Sequence, residues 1–139
     1  MIFSLPNQNL VSLVRELARQ PKETEWVEFK VNNDDPKGIG EYISALANAA
    51  TLAGKAKAFV VWGIEDTDHV IIGTQFSPST AKQGNEELEN WLLRLLEPRI
   101  NFQFFELTID DVPVVLLEIS SATSQPVRFQ GQEFMALPA

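Results

Sequence analysis

Apolar positions along the chain switch between two periods, and the switches mark the elements. Leu10, Leu13, Val14 and Leu17 recur three and four residues apart, which predicts a short amphipathic helix over residues 9–19, ended by Pro21. From Trp26 to Val31 the period falls to two. Trp26, Glu28 and Lys30 face one way and Val27, Phe29 and Val31 the other, as in a strand with one buried face. Residues 32–38, Asn-Asn-Asp-Asp-Pro-Lys-Gly, have the composition of a loop. Ile39, Ile43, Leu46, Ala47 and Ala50 then return to helical spacing, with alanine on the packing side.

The run from Ala58 to Ile64 is apolar without alternation, the mark of a central strand covered on both faces. Asp66-Thr67-Asp68 reads as a turn, with Val70-Ile71-Ile72 as the returning strand of a hairpin. Asn85 is placed to cap a third helix carrying Leu88, Trp91, Leu92, Leu95 and Leu96. Glu86 and Glu87 would sit in its first turn and Arg94 near its end, as the helix dipole prefers, and Pro98 stops it. Strands at 100–107 and 112–119 join across Asp110-Asp111. A last hairpin, 127–129 and 133–135, turns at Gln130-Gly131. The order αβαββαββββ predicts an α+β fold, a mixed sheet flanked by three helices. Trp62, Phe59, Val61, Leu46 and Leu92 should then be buried where the helices cover the central strand.

Length and composition bound this picture. A chain of 139 residues with 45% hydrophobic content fits one domain, 1–139, with an ordinary core. The final Leu137-Pro138-Ala139 follows directly on a strand, so we expect an N-terminal fragment of a longer protein. No apolar run approaches the roughly 20 residues of a membrane span, and the start lacks the pattern of a secretory signal. The absence of cysteine excludes disulfides and thiolate metal sites and fits the cytoplasm.

The net charge of −8 opposes simple capture of phosphates, but it is unevenly placed. Residues 1–57 hold seven basic side chains (Arg15, Arg19, Lys22, Lys30, Lys37, Lys55, Lys57) against seven acids. Residues 58–139 hold four against twelve. A phosphate-facing surface should therefore draw on the first half, while the second half is a solubilising acidic surface or a protein contact.

Three stretches carry more than packing. Glu23, Glu25 and Glu28 bring three carboxylates to one strand or its approach, where stability alone would not favour them. Either they form a site or they belong to a solvated face with a Glu–Lys cross-strand pair. In Ser44-Ala45-Leu46-Ala47-Asn48, Asn48 needs a partner for its amide in an apolar context, and a nearby loop is the simplest one. Trp62-Gly63-Ile64-Glu65-Asp66 puts two carboxylates at a strand's carboxyl end, where sites in α/β sheets lie and where ordinary turns use the same residues. His69, the only histidine, reads as an exposed turn residue.

In order, Glu23 with Glu28-Phe29-Lys30, Ser44 to Asn48, Val61 to Asp66 and Ile71-Ile72-Gly73 resemble the AlbA_2, or Schlafen-type, domain family. Glu97-Pro98-Arg99-Ile100, the strand at 112–119 and Pro126-Val127-Arg128-Phe129 with Gly131 resemble its second half, so the likeness spans about residues 10–136. The resemblance implies an α+β fold and a nucleic-acid-binding role, with DNA or structured RNA as partner. Many bacterial members look like the N-terminal part of transcriptional regulators.

In the Schlafen branch the core cleaves structured RNA with two Glu and one Asp, which fall here on Glu23, Glu28 and Asp66. Oxygen-only ligands of that kind suit Mg²⁺ or Mn²⁺. The chain departs from the family where a Gly-Gly pair usually follows the Asn. Here Thr51 to Lys57 forms a longer connection carrying Lys55 and Lys57.

The leading expectation is a nucleic-acid-binding module, in the first place for DNA, with no certain cofactor. Its positive surface would be formed by Lys22, Lys30, Lys37, Lys55 and Lys57. The alternatives are a metal-dependent endoribonuclease using Glu23, Glu28 and Asp66, and a protein-interaction domain whose exposed Phe102–Phe104 strand could pair with another chain; self-association is a further possibility.

Overall fold

The computed structural model describes residues 7–20, 24, 26–123 and 125–135. The chain begins with α1 (Asn7–Ala18), β1 (Val27–Lys30), α2 (Pro36–Leu52) and β2 (Lys57–Trp62). Next come β3 (Lys82–Gln83), β4 (Glu86–Glu87), α3 (Leu88–Leu95) and β5 (Leu96–Glu97). The remainder is β6 (Phe102–Ile109), β7 (Val112–Ser120), β8 (Arg128–Phe129) and β9 (Gln132–Glu133). The principal sheet has the order β1-β2-β7-β6. β1 and β2 are parallel, with Val27 opposite Phe59 and Lys30 opposite Trp62, and every other pairing is antiparallel. The fold is α+β with a mixed sheet.

A parallel pair needs a crossover, and α2 supplies it. α2 starts earlier than its apolar spacing suggests. Asp35 caps it by accepting from the Gly38 amide at 3.0 Å, and Pro36 occupies the first turn, where its missing N–H costs nothing. The alanines of α2 then press on β2, whose last five residues, Ala58 to Trp62, are all buried. At Gly40 the approach is closest. A Cβ built there would stand 2.2 Å from the Phe129 ring, so only glycine admits β8 beside α2.

The sheet separates two cores. On one face α2, α3 and the C-terminal strands enclose Leu46, Trp62, Leu92, Val115, Leu117 and Phe129. On the other, α1 lays Leu10, Val14 and Leu17 over Phe29, Phe59, Val61 and Leu116. The five residues expected in the core are all buried, but alternation along β2 divides them: Trp62 joins Leu46 and Leu92, while Phe59 and Val61 face α1. Trp62 donates its indole N–H to the Asn33 carbonyl at 2.8 Å, so its polar atom is satisfied at the rim of the core.

Several boundaries differ from the sequence expectation, each for a local reason. Asn85 does not cap α3. Gly84, at φ +64°, and Asn85 turn a two-residue hairpin, so Glu86 and Glu87 lie in β4 and the helix begins at Leu88. Arg94 does sit in the last turn, and it reaches back to Glu86 at 2.8 Å. Leu96 leaves the helix to pair with Phe129. Val70 to Ile72 form no strand beyond a single bridge between Ile64 and Ile71. The Gly63 carbonyl accepts from both Ile72 and Gly73 amides, which closes the segment as a tight loop. The Asp110-Asp111 turn forms as expected, with φ of +52° and +66°.

Candidate functional site

β1 is a four-residue edge strand. The Trp26 carbonyl accepts from Phe59, and the Lys30 carbonyl accepts from Gly63 and Ile64. Residues 26 and 30 therefore bond inward to β2, and the backbone groups of Val27 and Phe29 point to the outer edge, where the Val27 amide is taken by the Thr24 carbonyl at 3.4 Å. Side chains alternate likewise. Val27 and Phe29 enter the α1 core, while Glu28 and Lys30 stand on the α2 side.

A lysine lies over an aromatic ring at each end of this strand. At the amino end the Lys55 ammonium sits 5.2 Å from the centre of the half-buried Trp26 ring, and Trp26 in turn packs edge-on against Phe59. At the carboxyl end Lys30 sits 5.0 Å from the centre of the Tyr42 ring on α2. In each contact the ring offers the ammonium a quadrupole, which orients it over the ring face. Four residues of strand place the two ends on the order of 13 Å apart. Lys57, the first residue of β2, is bonded to Glu118 across the ladder and so carries a compensating charge. Lys37, in the first turn of α2, is exposed.

Of the five lysines singled out from the sequence, the structure therefore groups Lys55 and Lys57 at one end of β1, and Lys30 and Lys37 towards the other. Lys22 lies outside the described residues. The single positive surface expected is two clusters joined by the β1 edge. Remaining cations are mostly spent on intramolecular pairs. Arg15 binds Asp110 at 2.8 Å and Arg128 reaches Glu133 at 3.5 Å. Hydrogen bonding, and then the charge of its partner, lowers the Asp110 carboxyl below its ordinary range and raises the Arg15 guanidinium.

The acids separate differently. Glu28 issues from the α2 side of the sheet. Asp66, exposed, belongs to a loop that leans towards α1 through Ile64, Ile71 and His69. His69 is not the exposed turn residue expected. At φ +59° it is half-buried, its ring 4.5 Å from that of Phe29 and its Nδ1 3.2 Å from the Ala18 carbonyl at the end of α1. Glu23 lies outside the described residues. Among the described residues no three acid or histidine side chains stand together as a metal ion would require.

The Ser44–Asn48 stretch has a structural answer. Asn48 accepts from the Val127 amide at 2.8 Å and donates to the carbonyls of Val127 at 3.1 Å and Phe134 at 2.9 Å. Ser44, one turn earlier, donates to Val127 at 2.7 Å and accepts from the Phe134 amide at 3.2 Å. The two side chains clamp the C-terminal hairpin to α2, as expected of an amide that seeks a loop. Beside them a cleft of about 260 Å³ is walled by Leu52, Pro126 and Met135, and the Asn48 and Thr51 side chains at its edge are already bonded to backbone. Sequence reasoning missed the aromatic partners of the lysines. No spacing rule joins Lys30 to Tyr42 or Lys55 to Trp26 across a sheet edge.

The comparisons bear on the whole of this arrangement. The family model described as Schlafen, AlbA_2 matches residues 23–136. Among solved structures the chain is similar to the N-terminal domain of an ATP-dependent DNA helicase RecG-related protein from Nitrosomonas europaea. The TM-score is 0.59 at 16% identity, covering 93% of this chain and 88% of that one. It is also similar to the DIP2311 protein from Corynebacterium diphtheriae, with a TM-score of 0.53 at 15% identity, covering 88% of this chain and 28% of that one. At such identities these likenesses establish the fold. No curated protein sequence matches the chain.

Proposed function

The chain belongs to the Schlafen, AlbA_2 family, and from that premise we propose that it is a nucleic-acid-binding domain of a cytoplasmic transcriptional regulator, holding the DNA backbone along the β1 edge. The observation that carries this reading is the pair of lysine–aromatic contacts at the two ends of an open strand. A phosphate backbone running along β1 meets Lys55 and Lys57 at one end and Lys30 and Lys37 at the other. Of the acids near that path, Glu118 is paired with Lys57. Positively charged grooves with aromatic rings set among them are the usual means of holding nucleic acid without reading its sequence.

The interaction is backbone-directed, so it should weaken steeply with salt, each phosphate contact contributing about −0.9 to the log–log slope on duplex DNA. Lys55→Ala with Lys57→Ala should weaken binding to all sequences alike and flatten the slope by roughly 2 if both ammonium groups touch phosphate, and by roughly 1 if Lys57 stays on Glu118. The test is titration of labelled duplex DNA and structured RNA with the native protein and the double variant at several salt concentrations, with and without a chelator. A native protein that fails to bind at low salt sinks the reading, and an unchanged slope in the variant moves the contact away from β1. Binding lost on chelation, or cleavage of the RNA, would favour the nuclease alternative instead.

A further inference from the structure

We propose that the other edge of the sheet, β6, pairs antiparallel with β6 of a second copy of this chain, joining the two four-stranded sheets into one. The Ser120 amide donates to the Asn101 carbonyl at 3.0 Å, which fixes the phase of the β6–β7 ladder. Odd-numbered residues of β6 bond to β7, so the backbone groups of Phe102, Phe104, Glu106 and Thr108 point outward. No described segment pairs with them.

Edge strands are ordinarily blunted by shortness, lysine, proline or a bulge. β1 follows that rule, with four residues and Lys30 at its end. β6 does not. It has eight residues, no proline and no cation, and an unbroken register against β7. Its one charge, Glu106, is turned to the Ser79 amide at 3.0 Å. α1 packs over one face of β6 and Phe76 over the other, so the faces are covered while the edge stays open.

Charge complementarity selects a second copy as the occupant. Arg99 lies just before β6 and the Asp110-Asp111 turn just after it. Antiparallel pairing about a two-fold axis carries the Arg99 of each copy to the acidic turn of the other. Asp110 is held by Arg15, but neither Arg99 nor Asp111 has a partner among the described residues. The register that uses all four outward residues sets Phe102 opposite Thr108 and Phe104 opposite Glu106. It leaves Phe105 beside its own copy on the α1 side and puts no like charges directly opposite.

The test is the association state of the native protein by sedimentation over a wide concentration range, with three variants. Thr108→Pro removes an outward N–H and leaves the β6–β7 ladder intact, so it should shift the protein to monomer. Arg99→Glu should weaken the dimer about tenfold, and adding Asp111→Arg to it should restore association. These last two are exposed surface changes, so they decide the matter if the proline variant fails to fold. A protein that stays monomeric at every concentration overturns the proposal. So does a dimer indifferent to all three variants, or a charge reversal that the second substitution does not rescue. Nucleic-acid binding is read separately, at the β1 edge, so either proposal can fail without the other.

Discussion

The two faces of the sheet are closed by different means. On the α2 side a buried serine and a buried asparagine make a network of bonds to the backbone of the last hairpin, and Phe129 fills the space left by Gly40. On the α1 side one amphipathic helix lies across the strands. Its polar ties are fewer and less buried: Arg15 to Asp110 at the surface, and the half-buried His69 to the end of the helix. Buried polar bonds are costly to break because the orphaned partner stays out of water, whereas an exposed pair reverts to solvent at little loss. The α2 face should therefore be the rigid half of the molecule and α1 the part that opens first.

The sharpest way to break this contrast is Asn48→Ala. It strands the Val127 amide in the core and takes the donor from the Phe134 carbonyl, while the Val127 carbonyl keeps Ser44, and we expect a loss of about 2–3 kcal/mol in a denaturant melt. A cost close to zero would mean that the clamp is ornamental. Gly40→Ala comes next, at about 1–3 kcal/mol, because the added methyl must push Phe129 out of its place. Hydrogen exchange should show the disturbance in β8 and β9 and leave α1 untouched.

The smallest effect is on the other face. Asp110 has its carboxyl lowered by Arg15, so the tie is fully present above the ordinary carboxylate range and is lost as pH falls through the lowered folded value. Below about pH 4, α1 amides should exchange faster than those of α2, and Asp110→Asn should abolish that selective acid sensitivity. Equal acid loosening on both faces would erase the distinction.

Much of this was legible in the chain. The period-two pattern of β1, the unbroken apolar run of β2 and the alanine side of α2 report burial directly, and the family motifs named the fold. What could not be read is where the backbone itself decides. Gly84-Asn85 is a hairpin turn and a plausible helix cap alike, and only the pairing of Lys82 with Glu87 settles it. Ile71 and Ile72 look like a strand until the Gly63 carbonyl takes both following amides. The candidate site was legible as residue types but not as neighbours. The lysines could be counted from the sequence, whereas the aromatic rings that hold Lys30 and Lys55 come from distant segments.

Gly63 and Gly73 meet at the base of the loop between them, each at positive φ, and a Cβ on Gly63 would lie 3.3 Å from the backbone of Gly73. The loop is in effect a knot tied at its neck. Changes at the exposed tip, Asp66 to Asp68, are held off from β2 by this neck, whereas His69 must stay to meet Phe29 and the end of α1. This makes the tip the natural place for length and chemistry to drift while the sheet is inherited unchanged, and it lets an engineer exchange the tip as a cassette.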